Sequence, residues 1–167
     1  MKNIVLTGFM ASGKSTIARE LARITGFRLL DTDKMIEAAE NMSCEEIFGA
    51  HGEEYFRECE KKACIAAGNE KNVIIATGGG VVLNRENIDA LRKNGVIFNL
   101  EPGCALILKR LTARKTARPL ADGESAENII ARYRARQSFY DNCDRKIDVS
   151  EQLSPYEYAM RIIGMMR

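Results

Sequence analysis

The chain has 167 residues, of which 46% are hydrophobic and 29% are charged, and its formal net charge is +2 at pH 7. This length and balance are typical of a single globular domain, here residues 1–167, and they exclude disordered, collagen-like and coiled-coil proteins. The small net charge argues against a nucleic-acid or membrane partner. No apolar run approaches the roughly 20 residues of a membrane span, and no signal peptide precedes the first predicted strand.

The five cysteines and the single histidine, His51, form no recognisable metal site in the sequence. No two cysteines have CxxC spacing, their number is odd, and one histidine does not complete a usual zinc site. Free thiols are typical of a reducing compartment. We therefore expect a cytoplasmic protein in which these six side chains are structural or incidental and not catalytic.

Short apolar runs and helical periodicities alternate along the chain. The apolar runs predict five strands, at 4–6, 27–30, 73–76, 96–100 and 147–149. Helical spacing and capping signals predict a first helix that ends at Gly26 and a long helical region over 33–68 with breaks near Asn41 and Gly49. Further helices are predicted around 88–91, 105–111 and 125–140, and from 154 onward. This alternation predicts an α/β fold with a mostly parallel sheet flanked by helices.

Residues 8–15, GFMASGKS, match the pattern G-x-x-x-x-G-K-[ST] and lie between a predicted strand and a predicted helix. In this context the glycines let backbone N–H groups turn towards phosphate oxygens, and the helix start adds partial positive charge. Lys14 is then expected to reach the outer phosphates of a nucleotide, and Ser15 a magnesium ion. The guanine-binding motif Asn-Lys-x-Asp and the switch motif Asp-x-x-Gly are absent from the sequence, which excludes a switch GTPase.

Two more features follow predicted strands, so we expect them at the same edge of the sheet as the P-loop. Of the two carboxylates Asp31 and Asp33, one could bind a water molecule on magnesium and the other could bind an acceptor hydroxyl. Capping of the next helix by Asp33 is an equally good interpretation. The three glycines at 78–80 imply a backbone that approaches something else closely. A plain turn is the alternative there.

Three arginines are candidates for binding an anion. Arg57 precedes Glu60 by three residues, a spacing that is also typical of a surface ion pair on a helix. Arg118 lies in a basic segment at 112–124 that has no apolar periodicity and suits a loop closing over phosphates. Arg136, on the following helix, either pairs with a carboxylate or faces solvent.

Taken in order, these motifs resemble the shikimate kinase family. The matching segments are 8–16, 29–33, 56–60, 77–80, 118–120 and position 136. The resemblance implies a P-loop kinase fold with five parallel strands, a mobile lid at about 112–124 and a shikimate-binding helical region at about 33–61. The implied enzyme is a monomer that transfers the γ-phosphoryl group of ATP to the 3-hydroxyl of shikimate, in aromatic amino-acid biosynthesis, with Mg²⁺ as cofactor.

The same resemblance implies a role for each site residue. The implied catalytic residues are Lys14, Asp33 and Arg118. The implied shikimate contacts are Asp33, Arg57, Gly79, Gly80 and Arg136. The implied ATP contacts are Ala11, Ser12, Gly13, Lys14, Ser15, Thr16, Arg110 and Arg118. The implied magnesium contacts are Ser15 and, through water, Asp31.

Two other functions fit the P-loop taken alone. Another small-molecule P-loop kinase, for gluconate or a nucleotide, is disfavoured by the triple glycine and the paired arginines, and the sequence has no Asp-Gly-x-Pro-Arg signature of nucleotide kinases. A nucleotide-binding module without catalysis would need neither Asp33 nor Arg118. The sequence therefore favours an ATP-dependent shikimate kinase.

Overall fold

Five parallel strands form the central sheet, in the spatial order β2-β3-β1-β4-β5. The computed structural model describes residues 2–114 and 124–166. The strands are β1 (Asn3–Gly8), β2 (Arg28–Asp31), β3 (Val73–Ala76), β4 (Gly95–Pro102) and β5 (Arg145–Val149). All five predicted strands are confirmed. The central strands β1 and β3 are buried along their whole length, because helices cover both faces of the sheet.

Eight helices and one short 3-10 turn surround the sheet in the described ranges. They are α1 (Lys14–Thr25), α2 (Thr32–Glu40), α3 (Cys44–Asn69), the 3-10 turn (Val81–Leu83), α4 (Arg85–Arg92), α5 (Cys104–Arg114), α6 (Ala126–Ala135), α7 (Gln137–Tyr140) and α8 (Pro155–Met165). Helices α1 and α8 pack on one face of the sheet. The end of α3, together with α4, α6 and α7, packs on the other face. Within these residues no helix is both long and apolar enough to cross a membrane.

The capping signals in the sequence fix several helix ends. Gly26 ends α1 in the left-handed conformation, with φ 72°. Ser43 and Ser154 begin α3 and α8, and in both cases the glutamate three residues later completes a reciprocal capping box. These three predicted ends are confirmed.

The structure places three helix boundaries differently from the prediction. The break predicted near Gly49 lies three residues later, at Gly52, whose φ is 81° and ψ is 177°. Helix α5 runs to Arg114 and takes up the first three residues of the predicted loop at 112–124, and the Thr112 hydroxyl donates to the Leu108 carbonyl one turn earlier. The predicted helix at 125–140 is interrupted at Arg136. Residues 115–123 of the predicted lid lie outside the described residues.

Gly68 and Gly49 offer a matched pair for testing the packing of α3. A Cβ at position 68 would lie 2.9 Å from the carbonyl carbon of Ala90 and 3.3 Å from the nitrogen of Leu91, both backbone atoms of α4, whereas a Cβ at position 49 meets open space. We expect Gly68→Ala to lower the free energy of unfolding by about 1–3 kcal/mol. Gly49→Ala is expected to raise it by about 0.5–1 kcal/mol. Urea unfolding of both variants measures the difference, and equal values would contradict close packing of α3 on α4.

Candidate active site

The carboxyl ends of three neighbouring strands bring the sequence motifs together. β1 ends at Gly8 and β2 at Asp31, and β3 is followed by the glycines at 78–80. These strands are adjacent in the sheet, with β3 between the other two. A Cβ on Gly79 would lie 3.7 Å from the Gly8 carbonyl oxygen, so the glycine turn contacts the P-loop directly. The predicted convergence of the motifs is therefore confirmed.

The backbone conformation of the P-loop leaves the N-terminus of α1 accessible to a ligand. Gly8, Ala11 and Gly13 all have positive φ, of 149°, 59° and 98°. Gly13 caps α1 without a side-chain hydrogen bond, which leaves backbone N–H groups at the helix start available to an anion. The Lys14 ammonium donates to the carbonyl oxygens of Gly8 at 2.7 Å and Phe9 at 2.9 Å. Ser15 lies exposed in the first turn of α1.

A cavity of about 360 Å³ lies on one side of the P-loop. Its P-loop wall consists of Ala11, Ser12, Gly13 and Thr16. The opposite wall is largely apolar and consists of Val149, Leu153, Pro155 and Tyr158. Arg110 lines the same cavity and donates from Nη1 to the Ala11 carbonyl oxygen at 2.9 Å. The cavity therefore offers an apolar slot beside the anion-binding helix start.

Asp31, and not Asp33, caps the second helix. The Asp31 carboxylate accepts from the backbone N–H groups of Asp33 at 3.0 Å and Lys34 at 3.2 Å. The alternative in which Asp33 serves as the cap is therefore wrong. The Asp33 side chain turns instead to the glycine turn, where a Cβ on Gly78 would lie 2.6 Å from its Oδ1. Gly78 thus leaves the space that the Asp33 carboxylate occupies.

The pKa of the Asp33 carboxyl is raised by its surroundings. Burial raises its pKa above the ordinary value of 3.8, and the negative charges of Asp31 and Glu37 raise it further. The cations Lys14 and Arg57 oppose this rise. Asp33 thus lies within electrostatic reach of both the P-loop lysine and Arg57. A raised carboxyl pKa suits a group that takes up a proton during a reaction.

The glycine turn is held by side chains from two other elements. The N–H of Gly78 donates to the hydroxyl of buried Thr32 at 3.0 Å, and the Gly79 carbonyl accepts from the hydroxyl of Tyr140 at 2.7 Å. Within the described part of the chain, the N–H groups of Gly79 and Gly80 have no protein partner. Gly80 is buried and Gly79 is half-buried. Buried N–H groups are rarely left unpaired, so the Gly80 donor in particular suits a ligand. Residues 78–81 also form a turn, since the Val81 N–H donates to the Gly78 carbonyl at 3.3 Å, so the plain-turn alternative fits these unpaired donors as well.

Arg57 belongs to a partly buried cluster and not to the protein surface. Its Nη1 donates to Glu60 Oε2 at 2.9 Å, and Glu60 is only 1% exposed. Burial raises the pKa of the Glu60 carboxyl, and the Arg57 charge opposes that rise. A Cβ on Gly80 would lie 2.8 Å from Arg57 Nη2, so a larger residue there would displace this guanidinium. The predicted pair with Glu60 is therefore present, but it is not a surface pair.

Arg136 lies at the junction of α6 and α7, close to the same cluster. Its guanidinium carbon is 6.0 Å from the centre of the Phe9 ring, and its charge opposes the raised pKa values of Glu60 and Tyr140. Both Arg57 and Arg136 thus act on the buried Glu60 carboxylate. Arg118 lies outside the described residues, and its predicted role stays a prediction.

Ser15 and Asp31 line one cavity next to the P-loop, between α1, β2 and α2. A serine hydroxyl and a carboxylate are oxygen ligands of the kind that Mg²⁺ prefers. In residues 2–114 and 124–166 no cluster of three or more His, Cys, Asp or Glu could hold a metal ion. A magnesium site completed by substrate phosphates needs no such cluster, so the donor set fits the ion.

Two residues that hold the site have no assigned role in the sequence analysis. Thr32 and Tyr140 both bond to the glycine turn, at Gly78 and Gly79. Thr32 stands between two aspartates, directly after β2, and β2 pairs with the strand that precedes the glycine turn. Tyr140 follows Arg136 by four residues, which is one helical turn, and this spacing is the only sequence signal for it.

A P-loop at the end of the central strand of an all-parallel sheet, facing a half-buried aspartate and an arginine, defines a P-loop kinase that acts on a small acceptor. The family model described as "Shikimate kinase" matches residues 10–167. The chain belongs to the shikimate kinase family, whose members are ATP-dependent kinases.

Relatives and solved structures agree with this assignment. The shikimate kinase of Caldicellulosiruptor saccharolyticus is 47% identical over 99% of this chain and 95% of its own length. That of Caldanaerobacter subterraneus subsp. tengcongensis is 48% identical over 91% of this chain and 89% of its own. The structure of shikimate kinase from Acinetobacter baumannii in complex with shikimate has a TM-score of 0.89 at 30% identity, covering 99% and 93% of the two chains. The predicted fold class and family are confirmed.

Proposed function

We propose that this enzyme transfers the γ-phosphoryl group of ATP to the 3-hydroxyl of shikimate, giving shikimate 3-phosphate and ADP in aromatic amino-acid biosynthesis. One observation carries the proposal: the glycine turn approaches both the Asp33 carboxylate, at Gly78, and the Arg57 guanidinium, at Gly80, and the charges of Lys14 and Arg57 both act on Asp33. The N–H groups of Gly79 and Gly80 in this turn have no protein partner in the described residues. This set of groups suits an acceptor with one carboxylate and several hydroxyls. A gluconate or nucleotide kinase and a non-catalytic module are less consistent with it.

ATP is proposed to bind along the P-loop. Residues 11–16 would surround its phosphates with backbone N–H groups and the Lys14 ammonium. Its adenine ring would enter the cavity of about 360 Å³ between the P-loop and the apolar wall at 149–158. Arg110, anchored on the Ala11 carbonyl, would lie against that ring. Lys14 would exchange its carbonyl partners in the P-loop for phosphate oxygens.

Shikimate is proposed to bind between the glycine turn and α3. Its carboxylate would pair with Arg57 and Arg136, because a guanidinium fork can bond both carboxylate oxygens. The N–H groups of Gly79 and Gly80 would donate to ring hydroxyls. The 3-hydroxyl would then face the Asp33 carboxylate, which lies within reach of the Lys14 charge.

The proposed chemistry is in-line transfer with proton acceptance by Asp33. The 3-hydroxyl oxygen forms a bond to the γ-phosphorus while the bond to the bridging oxygen of ADP breaks, and the hydroxyl proton passes to Asp33 Oδ. Lys14 stabilises the charge that develops on the phosphoryl oxygens. Arg118 is proposed to stabilise the same charge when a lid at about 112–124 closes. The helical region at about 33–61 is proposed to contain the acceptor site.

Magnesium is proposed to accompany ATP, held by the Ser15 hydroxyl and, through water, by the Asp31 carboxylate. Bound there, the ion would neutralise phosphate charge. The Oδ1 of Asp31 already accepts two backbone N–H groups, which fixes the orientation of the carboxylate.

We also propose that the enzyme is a monomeric, single-domain cytoplasmic protein with no nucleic-acid or membrane partner. The five cysteines are all free thiols, which fits a reducing compartment. The net charge of +2 gives no reason to expect a polyanionic partner.

The raised pKa of Asp33 gives a prediction for the pH dependence. If Asp33 accepts the proton, it must start ionised, so activity falls as pH drops through its pKa. Because that pKa is raised, the acid limb of kcat/KM for shikimate should lie above pH 3.8. Glu37 raises this pKa, so Glu37→Gln should move the limb to lower pH, whereas Glu45→Gln, on the exposed start of α3, should not. A shift to higher pH in Glu37→Gln would contradict the assignment.

The position of the transferred phosphate tests the proposed function. The purified enzyme is incubated with ATP, Mg²⁺ and shikimate, and the product is analysed by phosphorus–proton correlation NMR. We expect a single phosphomonoester coupled to the proton on C3. Phosphate on another oxygen, or no shikimate-dependent product, would overturn the proposal.

A further inference from the structure

The side chain of Tyr140 connects two parts of the proposed acceptor site that belong to different elements. It is 1% exposed, and its hydroxyl donates to the Gly79 carbonyl oxygen at 2.7 Å. This short α7 helix packs against the 3-10 turn that follows the glycines. Arg136 lies one helical turn earlier and acts electrostatically on the same hydroxyl, opposing the rise of its pKa that burial causes. Tyr140 therefore lies between the glycine turn and one of the two arginines.

The hydrogen bond to the Gly79 carbonyl also fixes the next N–H group. The described peptide bonds are trans, so the carbonyl of Gly79 and the N–H of Gly80 point to opposite sides of one rigid plane. With the carbonyl held towards Tyr140, the Gly80 N–H must point away from it. That N–H has no protein partner in the described residues, although Gly80 is buried. A turn hydrogen bond from the Val81 N–H to the Gly78 carbonyl spans this peptide, but glycine on both sides leaves the peptide free to rotate within the turn. The hydrogen bond from Tyr140 therefore favours one of its orientations.

We infer that Tyr140 is a positioning residue for the acceptor: its hydroxyl holds the Gly79–Gly80 peptide so that the Gly80 N–H faces the ligand, and it keeps this peptide in register with Arg136. The inference rests on the proposed function, since it assigns the acceptor as the ligand of that N–H. It predicts an effect on acceptor binding that is separate from folding and from ATP binding.

Tyr133 supplies a matched control for the loss of a buried tyrosine hydroxyl. It is also buried, and its hydroxyl donates to the backbone carbonyl of Pro102 at 2.8 Å. Its ring packs on Phe9, with centroids 5.0 Å apart, and that contact survives in phenylalanine. Tyr140→Phe and Tyr133→Phe therefore remove equivalent hydrogen bonds, and only the first bond involves the glycine turn.

The test compares the steady-state kinetics and shikimate affinity of the wild type and both variants, well below their melting temperatures. We expect Tyr140→Phe to raise the KM and the calorimetric Kd for shikimate by about 3- to 10-fold, with kcat and the KM for ATP unchanged. Tyr133→Phe should leave all four values unchanged. An unchanged shikimate KM in Tyr140→Phe, or equal rises in both variants, would overturn the inference. Absence of shikimate-dependent turnover in the wild type would instead overturn the proposed function.

If Tyr140→Phe lowers the melting temperature more than Tyr133→Phe, Tyr140→His provides a second variant that retains a ring N–H donor. We expect its shikimate Kd to lie between those of the wild type and Tyr140→Phe. A Kd above that of Tyr140→Phe would count against a hydrogen-bonding role.

Discussion

Asp33→Asn is expected to lower kcat by about 10²- to 10⁴-fold, because asparagine cannot take up the proton of the acceptor hydroxyl. The fold should survive, since Asp31 and not Asp33 caps α2. Burial raises the Asp33 pKa, so the ionised carboxylate costs folding free energy at neutral pH, and the neutral amide removes that cost. We therefore expect the activity to fall while the melting temperature stays level or rises. ATP binding, measured by calorimetry, should persist.

Asp89→Asn provides the control for this substitution. Asp89 is an exposed aspartate on α4 whose partners are the surface arginines Arg85 and Arg92. We expect wild-type kcat from this variant. A fully active Asp33→Asn enzyme would contradict proton acceptance by Asp33, and loss of ATP binding in that variant would show that Asp33 serves the nucleotide.

Substitutions of Arg57 are expected to separate acceptor binding from stability. Arg57→Lys keeps a cation beside buried Glu60 but loses the planar fork, so the KM for shikimate should rise by about 10- to 150-fold with a small change in stability. Arg57→Ala leaves the Glu60 carboxylate buried without its partner. This variant should show the same binding defect and also lose about 3–5 kcal/mol of unfolding free energy. Kinetics and urea unfolding measure the two effects.

Glu53→Gln is the control for Arg57. Glu53 is the second acidic partner of Arg57, at 3.4 Å, but its side chain is 67% exposed, so its removal should change neither stability nor the shikimate KM appreciably. If Arg57→Lys keeps the wild-type KM for shikimate, Arg57 does not hold the carboxylate. If the urea midpoint of unfolding of Arg57→Ala equals that of the wild type, Arg57 does not stabilise the buried Glu60 carboxylate.

Features encoded by short-range patterns could be predicted from the sequence. The P-loop fixes its own strand–turn–helix context, and the parallel direction of the strands follows from their alternation with helices. The spatial order of the strands does not follow from that pattern. Once the strands are parallel, motifs at their carboxyl ends must meet at one edge. The helix starts at Ser43 and Ser154 could also be predicted, because all hydrogen bonds of a capping box lie within four residues.

Features that depend on contacts between distant segments could not be predicted. Gly49 and Gly52 have the same local propensity to break a helix, and only Gly52 adopts the non-helical conformation. The burial of Glu60, which makes Arg57 part of the site, requires α3 to pack against the glycine turn and Arg136. The hydrogen bond between Tyr140 and Gly79 spans 61 residues. Apart from its spacing of four residues from Arg136, no local pattern distinguishes this tyrosine from an ordinary core residue.

The most direct test of the assigned acceptor is ADP release by the purified enzyme with Mg²⁺ and ATP, in the presence of shikimate, gluconate, AMP or no acceptor. The arrangement of Asp33, Arg57 and the glycine turn predicts release that depends on shikimate and is not stimulated by the other two compounds. Stimulation by gluconate or AMP in place of shikimate would contradict the account, as would no stimulation at all in protein shown to bind ATP.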